Sequence, residues 1–330
     1  MMKLFFGYLN EGHSTFYNGV EMAAEYADGS DTSFAERILS SYEESLLNAP
    51  FTMKQLQAAL IPIQRTLLWG EDAYREYGST AIIRLDSFEP DEAAWDSYYN
   101  DAGEFPQDDL GIVAAGLKKA SENPEIENVI FDLSGNSGGS PDMMMAILAM
   151  TTGQDQLHGR NNITGQAMTI TFEIDANFDG VYDEKDREAR YDFNYGALMT
   201  QHAFSGGNLF PIVFQEAGAV LIGEPSSGGS CCIQIGVDAE GLYYTMSSGQ
   251  WQLMDSRGVS VESGCSIDVP IETGSMPITE LAGDPYVDLL ADYIGEDAVI
   301  PAYQDYCDDA RLDEIMNDWF GAQAQLDPAA

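Results

Sequence analysis

Short apolar runs alternate with amphipathic stretches over much of the chain. Four runs have the length and composition of buried strands, and they occupy residues 80–88, 129–133, 197–200 and 219–222. Four stretches carry apolar residues at helical spacing, and they occupy residues 90–100, 106–121, 143–150 and 209–217. Strands that alternate with helices in this way predict an α/β layered fold.

Local signals mark the ends of two of these helices. Ser140 and Pro141 have the residue types preferred at an N-cap and in the first turn, so they predict the start of the third helix. Gly218 follows the fourth helix and predicts its end.

The pattern is weaker towards the two ends of the chain. We expect a strand, a hairpin and a strand pair at residues 167–175, 241–253 and 258–271, respectively. Further helices are expected at 33–48 after an S-x-x-E capping box, at 52–69 with a bend or break at Pro62, at 284–294 and at 309–321.

Composition and charge narrow the class of protein. The 330 residues are 45% hydrophobic, which is enough for one large or two moderate cores. No apolar run has the length of a membrane span. The 14 basic and 55 acidic residues give a net charge of −41, which disfavours nucleic acid and anionic membranes as partners. The same charge suits a cationic partner, a divalent metal or a salty or extracellular setting.

The four cysteines do not have the spacing of a zinc site. A Cys232–Cys265 or a Cys231–Cys265 bridge is compatible with the sequence, and the sequence does not choose between them.

Ser205 lies between the predicted strand at 197–200 and the predicted helix at 209–217. A serine in this place suits a nucleophile, because the N–H groups and the positive dipole end of the helix stabilise negative charge on a reacting atom. Gly206 and Gly207 allow a substrate backbone to approach closely. The alternative is that Ser205 is only an N-cap.

A glycine loop at 135–139 separates another strand from another helix. It lacks the lysine of a P-loop and the spacing of a dinucleotide-binding fingerprint. We therefore interpret it as a source of backbone N–H donors for an oxyanion hole.

Three blocks of sequence together resemble the C-terminal processing, or tail-specific, serine peptidases, a family that includes the tricorn core protease. DLSGNSGG at 132–139 is similar to the family signature D-L-R-G-N-x-G-G. The stretch from Ala203 to Gly229 resembles the nucleophile block, and GYLNEGHSTF near the start resembles the block that carries a histidine. The resemblance implies a crotonase/ClpP-like superhelical β-β-α core and an endopeptidase that acts on peptides or proteins.

The resemblance also implies roles for individual residues. Ser205 is the expected nucleophile. Gly229 stands where many members have a catalytic lysine, so the resemblance points to the tricorn-like branch, in which a histidine is the base and a glutamate orients it. The matching residues are His13 and Glu262, the latter in GVSVESGCSIDVP. The alternative function is a catalytically inactive, calcium-stabilised binding protein on the peptidase fold.

Two further expectations complete the predicted site. The N–H groups of Gly206 and of the Gly138–Gly139 turn are expected to form the oxyanion hole. His202, three residues before Ser205, is expected to be a surface histidine at the end of a strand.

A second motif is independent of the peptidase blocks. DANFDGVYDEKD at 175–186 has oxygen-bearing side chains and a glycine at the positions of an EF-hand-type loop. It predicts a structural Ca²⁺ site formed by six residues: Asp175, Asn177, Asp179, Asp183 and Asp186, with the carbonyl of Val181. The alternative is a solvated acidic turn.

We expect three regions: a helical segment with the histidine block at 1–79, a catalytic core at 80–300 with the calcium loop inserted at 175–186, and a C-terminal helix at 301–330. No PDZ-like insert is evident between residues 20 and 80. An extracytoplasmic or secreted location is expected, although the sequence starts without a convincing signal peptide.

Overall fold

A computed structural model describes residues 15–17, 60–70, 72–101, 103–237, 243–271, 274–284, 287–288, 291, 295–303 and 308–326. The helices in these ranges are α1 Leu60–Trp69, α2 Glu92–Asp101, α3 Asp109–Glu122, α4 Pro141–Thr152, α5 Glu184–Glu188, α6 Gly206–Glu216 and α7 Asp309–Leu326. The strands are β1 Thr15–Tyr17, β2 Tyr74–Tyr77, β3 Thr80–Arg84, β4 Asn128–Asp132, β5 Gln156–Asn161, β6 Ala167–Thr171, β7 Asn194–Met199, β8 Val220–Gly223, β9 Cys231–Val237, β10 Tyr243–Met254, β11 Val269–Pro270, β12 Gly274–Pro277 and β13 Val299–Ala302.

A six-stranded sheet in the order β11-β8-β7-β4-β3-β2 forms the centre of the fold. Its strands are parallel except for β2, which pairs antiparallel with β3 at one edge. Helices cover both faces, so the strands are apolar throughout rather than alternating. Phe131 packs with α3, α4 and α6 on one face, whereas Ile130 packs with α1 and α7 on the other. The predicted α/β class is confirmed.

The four central strand predictions and four central helix predictions are confirmed with shifts of a few residues at their ends. Ser140 caps α4 by accepting the Asp142 N–H, and Pro141 occupies the first turn, as predicted. Gly218 follows α6 with φ of 105°. The predicted strand at 80–88 is shorter than expected, since β3 ends at Arg84 and Phe88 forms only a bridge to Gly139.

A second sheet has the order β1-β10-β5-β6, and β9 also pairs with β10. The prediction of a hairpin within 241–253 is wrong, because Tyr243–Met254 is one strand whose hairpin partner is β9. The β9–β10 register shifts between Ser247 and Gln252. A bulge therefore interrupts the pairing inside the stretch that was predicted to be a hairpin.

The prediction of a strand pair at 258–271 is also wrong. Ser260 makes a single bridge to Met254, Val261–Ser263 is a 3₁₀ turn, and only Val269–Pro270 pairs as a strand, with β8. The buried Cys265 is a free thiol. Neither of the two disulfides considered for Cys265 is formed.

Several predictions fall outside the described residues. They are His13, the helix at 33–48, the first part of the helix at 52–69 and most of the helix at 284–294. The described part of the helix predicted at 52–69 is α1, and α1 is continuous across Pro62. In the described part of the chain, no helix combines the length and the apolar character needed to cross a bilayer.

Candidate active site

The candidate site lies at the carboxyl ends of the neighbouring strands β4 and β7. The loop after β4 leads into α4, and the loop after β7 leads into α6. In open parallel sheets, ligands bind at the carboxyl ends of the strands, where such loops meet. The topology therefore brings the glycine loop at 135–139 to the turn that carries Ser205.

Ser205 has a backbone conformation that is unusual for a residue other than glycine. Its φ is 55° and its ψ is −117°. Hydrogen bonds on both sides hold it there: its N–H donates to the Gly228 carbonyl at 3.0 Å, and its carbonyl accepts from the N–H groups of Asn208 and Leu209. Its side chain makes no capping hydrogen bond. The N-cap interpretation therefore does not account for the hydroxyl, and strained backbone of this kind is concentrated at functional sites.

Gly138 and Ser205 touch across the two loops. A Cβ atom on Gly138 would lie 2.8 Å from the Gly206 nitrogen and 2.9 Å from the Ser205 Cβ. Gly138 also has a φ of 112°, which glycine adopts readily and other residues do not. Glycine is required here because the backbone of one loop packs directly against the other.

Two backbone N–H groups beside Ser205 have no hydrogen-bond acceptor among the described residues, those of Gly139 and Gly206. They are adjacent, because a Cβ on Gly206 would lie 3.2 Å from the Gly139 nitrogen. The N–H of Gly138, the third predicted donor, is already bonded to Asn136 Oδ1 at 2.8 Å. The free donor pair therefore consists of Gly139 and Gly206, and Gly138 shapes the turn between them.

Asn136 holds the glycine loop in place, a role that was not predicted from the sequence. Its side chain is fully buried, donates to the Leu85 carbonyl at 3.0 Å and accepts from Gly138. Its carbonyl accepts the Phe204 N–H at 3.3 Å, next to Ser205. Its place inside the DLSGNSGG block was the available signal.

The structure also brings Glu262 to the Ser205 turn. Glu262 lies in the 3₁₀ turn Val261–Ser263, whose backbone packs so closely on Gly228 that a Cβ there would lie 1.9 Å from the Glu262 carbonyl oxygen. Gly228 is the residue that accepts the Ser205 N–H. The buried Asn208 of α6 donates to the Val261 carbonyl at 2.9 Å and so ties the nucleophile helix to the same turn.

His202 differs from its predicted surface position, because it is half-buried. Burial and, to a smaller extent, the positive charge of Arg65 lower the pKa of His202 to about 4. The imidazole is therefore neutral at pH 7. No hydrogen bond from its ring to a described residue is present.

Arg65, from α1, contacts the glycine loop and was not predicted from the sequence. It is buried, forms an ion pair with Asp86 and donates to Ser134 Oγ at 3.2 Å. Burial raises the pKa of the Asp86 carboxyl, and Arg65 opposes that rise. The D-L-R-G-N-x-G-G signature has an arginine where this chain has Ser134. In this chain the guanidinium that reaches the loop comes from another element, because it belongs to Arg65 of α1.

The loop at 175–186 folds around its own acidic side chains. Asp175 accepts from the N–H groups of Asp179 and Gly180, and Asp186 accepts from that of Asp183. Lys185 Nζ lies 3.4 Å from Asp183 and 3.7 Å from Asp179. Within the described ranges, no three acidic, histidine or cysteine side chains are grouped so that they could hold a metal ion. The calcium site stays a prediction.

Comparison with known proteins identifies the family. The model of peptidase family S41 matches residues 79–269, more than half of the chain, including the glycine loop, Ser205 and Glu262. The chain belongs to peptidase family S41. The predicted resemblance to the C-terminal processing peptidases is confirmed.

Several solved structures resemble the chain at low sequence identity. The photosystem II D1 C-terminal processing protease is 13% identical over 61% of this chain and 46% of that chain, with a TM-score of 0.40. A lipoprotein from Streptococcus agalactiae is 14% identical over 82% of this chain and 91% of that chain, with a TM-score of 0.45. The tricorn protease is 18% identical over 71% of this chain and 18% of that chain, with a TM-score of 0.36. The chain thus spans less than half of the D1 protease. No curated protein sequence matches it.

Proposed function

We propose that this S41 peptidase is an active serine endopeptidase with Ser205 as its nucleophile. The observation that carries the proposal is that the Ser205 hydroxyl and the N–H groups of Gly139 and Gly206 lie together and have no partner among the described residues. Attack of the hydroxyl on a peptide carbonyl places negative charge on the carbonyl oxygen. Two preorganised N–H donors stabilise that charge, and removing one such donor costs about 3 kcal/mol in related sites.

In this mechanism, His13 is the base and Glu262 orients it. His13 takes the Ser205 proton as the Oγ–C bond forms and donates it to the leaving amine as the peptide bond breaks. Water then hydrolyses the acyl-enzyme by the same proton transfers. His13 lies outside the described residues. The strand β1 begins two residues later and pairs with β10, and Gln252 of β10 bonds to Ser230, the hydrogen-bond partner of Glu262.

A fluorophosphonate probe tests the nucleophile directly. The wild type is expected to be labelled on Ser205 and to hydrolyse a peptide library, and Ser205→Ala is expected to lose both activities while keeping its thermal unfolding midpoint. Ser227→Ala is a suitable control, because this exposed serine lies in the loop after the neighbouring strand β8 and its hydroxyl donates only to the Gln201 carbonyl. A folded wild type that is neither labelled nor active would favour the alternative, an inactive binding protein on the peptidase fold.

The pH profile distinguishes the two candidate bases. A histidine acts as a base only when neutral, so activity falls as pH drops through its pKa. An ordinary histidine has a pKa of about 6.5, whereas that of His202 is lowered to about 4. We expect kcat/KM to fall with a midpoint near the ordinary value and His13→Ala to lose most of kcat. A midpoint near 4, with a severe loss in His202→Ala, would transfer the role to His202.

We also propose that the loop at 175–186 binds one structural Ca²⁺ ion. The oxygen ligands suit this hard cation, and Gly180, at position 6 of the loop, has a φ of 78°. Asp175, Asn177, Asp179, Asp183, Asp186 and the Val181 carbonyl would hold the ion, and Lys185 would have to move away from Asp179 and Asp183. Asp175→Ala combined with Asp179→Ala should abolish calcium binding in calorimetry and leave fluorophosphonate labelling in place.

A further inference from the structure

Glu262 belongs to a closed ring of four hydrogen-bonded residues. Its Oε2 accepts from both the N–H and the Oγ of Ser230, at 2.8 and 2.5 Å. Gln252 Nε2 donates to Ser230 Oγ at 3.0 Å and to Ser260 Oγ at 2.7 Å. Ser260 Oγ in turn accepts the Glu262 N–H at 3.2 Å. The ring joins the loop before β9, the long strand β10 and the 3₁₀ turn.

The ring acts on only one oxygen of the carboxylate. Both Ser230 donors bond to Oε2, and Oε1 has no donor among the residues that the structure describes. The last torsion of a glutamate is broad, so an exposed carboxylate without such bonds rotates freely. Two donors on one oxygen fix the plane of the carboxylate and leave the other oxygen available as an acceptor.

We propose that Ser230 and Gln252 are positioning residues of the peptidase reaction, which hold the Glu262 carboxylate so that Oε1 meets the imidazole of the base. The proposal rests on the proposed function. Ser230 is completely buried, and it follows Gly229, the residue at the lysine position of the family signature. The loop that offers no lysine base thus provides the group that orients the partner of a histidine base. An oriented carboxylate stabilises the imidazolium that forms during attack.

The test compares Ser230→Ala with a serine in the same chemical situation elsewhere. Ser256 also donates its N–H and its Oγ to one glutamate, Glu216, at 3.1 and 2.7 Å. Glu216 is at the opposite end of α6 from Ser205, about 15 Å along the helix. Ser256→Ala is therefore a matched control, expected to leave kcat unchanged.

For Ser230→Ala we expect kcat to fall at least ~10-fold, the factor associated with one hydrogen bond to a charged group. KM should stay within about twofold, since the carboxylate contacts the base rather than the substrate. The acid limb of the kcat/KM profile should move to lower pH, because the imidazolium loses part of its stabilisation. Gln252→Leu should also lower kcat and move the acid limb to lower pH, with KM again within about twofold. Because Gln252 is half-buried, this variant provides the test if Ser230→Ala does not fold.

A double-mutant cycle separates positioning from a structural role. In a Glu262→Gln background, Ser230→Ala should cause no further loss of fluorophosphonate labelling rate, since it acts through the carboxylate. An unchanged kcat and pH profile in Ser230→Ala, or a full additive loss in the Glu262→Gln background, would overturn the positioning role alone. Failure of the wild type to be labelled on Ser205 would overturn the proposed function and, with it, this proposal.

Discussion

Gly138 is a residue at which the site has no room for an added methyl group. Its Cβ would meet backbone atoms of Phe204 and Gly206 at 2.9 and 2.8 Å, and backbone cannot move aside as a flexible side chain does. We expect Gly138→Ala to separate the glycine loop from Ser205 and to lower the fluorophosphonate labelling rate about 100-fold or more, the cost of a lost oxyanion donor.

The control for Gly138→Ala is Gly218→Ala. Gly218 has a similar φ, 105° against 112°, but no atom lies within 4 Å of its added Cβ. Both variants place a Cβ on a residue with a similarly positive φ, so their difference isolates the clash. Equal labelling rates in the two variants would show that the contact between the loops does not matter for the reaction.

His202 allows a prediction about stability and pH. Its pKa is about 4 in the folded protein and near 6.5 when unfolded, so the unfolded state binds the proton more tightly. His202 therefore destabilises the folded protein only at low pH. This destabilisation is absent above pH 6.5, and the free energy of unfolding falls as pH decreases from 6.5 to 4. For this half-buried residue we expect a loss on the order of 1 to 3 kcal/mol.

His202→Gln should remove that part of the pH dependence. Because the chain has many carboxyl groups that also titrate in this range, the measurement is the difference between wild type and variant in urea unfolding at pH 7 and at pH 4.5. A constant difference across this range would contradict a lowered pKa.

The residues that the sequence predicted for the site lie in continuous signatures, whereas most contacts that it did not predict join distant parts of the chain. Ser205, Gly206 and the glycine loop are recognisable because a strand, a turn and a helix follow one another locally. Arg65 contacts Ser134 across 69 residues of sequence, and Asn208 bonds Val261 across 53. No local period or cap records such a pair, because it depends on how the strands are ordered in the sheet.

At the scale of elements, the helix ends marked by local signals were predicted well and the irregular β-structure was not. The start of α4 follows from Ser140 and Pro141, whose side chains interact within one turn. β10 was misjudged because a bulge and a turn use the same small and polar residues, and only the partner strand β9 distinguishes them. β11 was missed because a two-residue strand has no measurable period.

The short helix α5 makes the calcium proposal testable at this scale. Lys185 in its first turn places a cation beside Asp179 and Asp183, where it competes with a bound metal ion. We expect Lys185→Met to bind calcium at least ~3-fold more tightly in calorimetry, since one competing charge is lost. Arg187→Met, which removes a charge from the same helix but has no described partner in the loop, is the control. An unchanged affinity in Lys185→Met would place calcium elsewhere.

At the scale of the whole molecule, the C-terminal helix closes one face of the central sheet. Asp313 of α7 accepts from Thr80 Oγ1 at 2.6 Å and from the Ser79 N–H at 3.0 Å, more than 230 residues away in sequence. A Cβ on Gly78 would lie 2.2 Å from the same carboxylate. The sequence predicted this helix from its period. The face of the sheet on which the helix packs could not be predicted, because Asp313, which anchors it, looks in the sequence like the many solvent-exposed acidic residues.

The net charge of −41 leads to a prediction about the whole molecule. Folding concentrates this charge, so self-repulsion lowers the free energy of unfolding. Salt shortens the range of the repulsion, from about 10 Å at 0.1 M to about 3 Å at 1 M. We expect the thermal unfolding midpoint to rise by at least ~2 °C between 0.1 and 1 M NaCl, which corresponds to roughly 1 kcal/mol for a protein of this size.

CaCl₂ at matched ionic strength should raise the midpoint further in the wild type, but not in the Asp175→Ala, Asp179→Ala double variant, because screening is common to both proteins and site binding is not. A midpoint that falls as NaCl is added would mean that attractive pairs, such as Arg75 with Asp309, outweigh the repulsion.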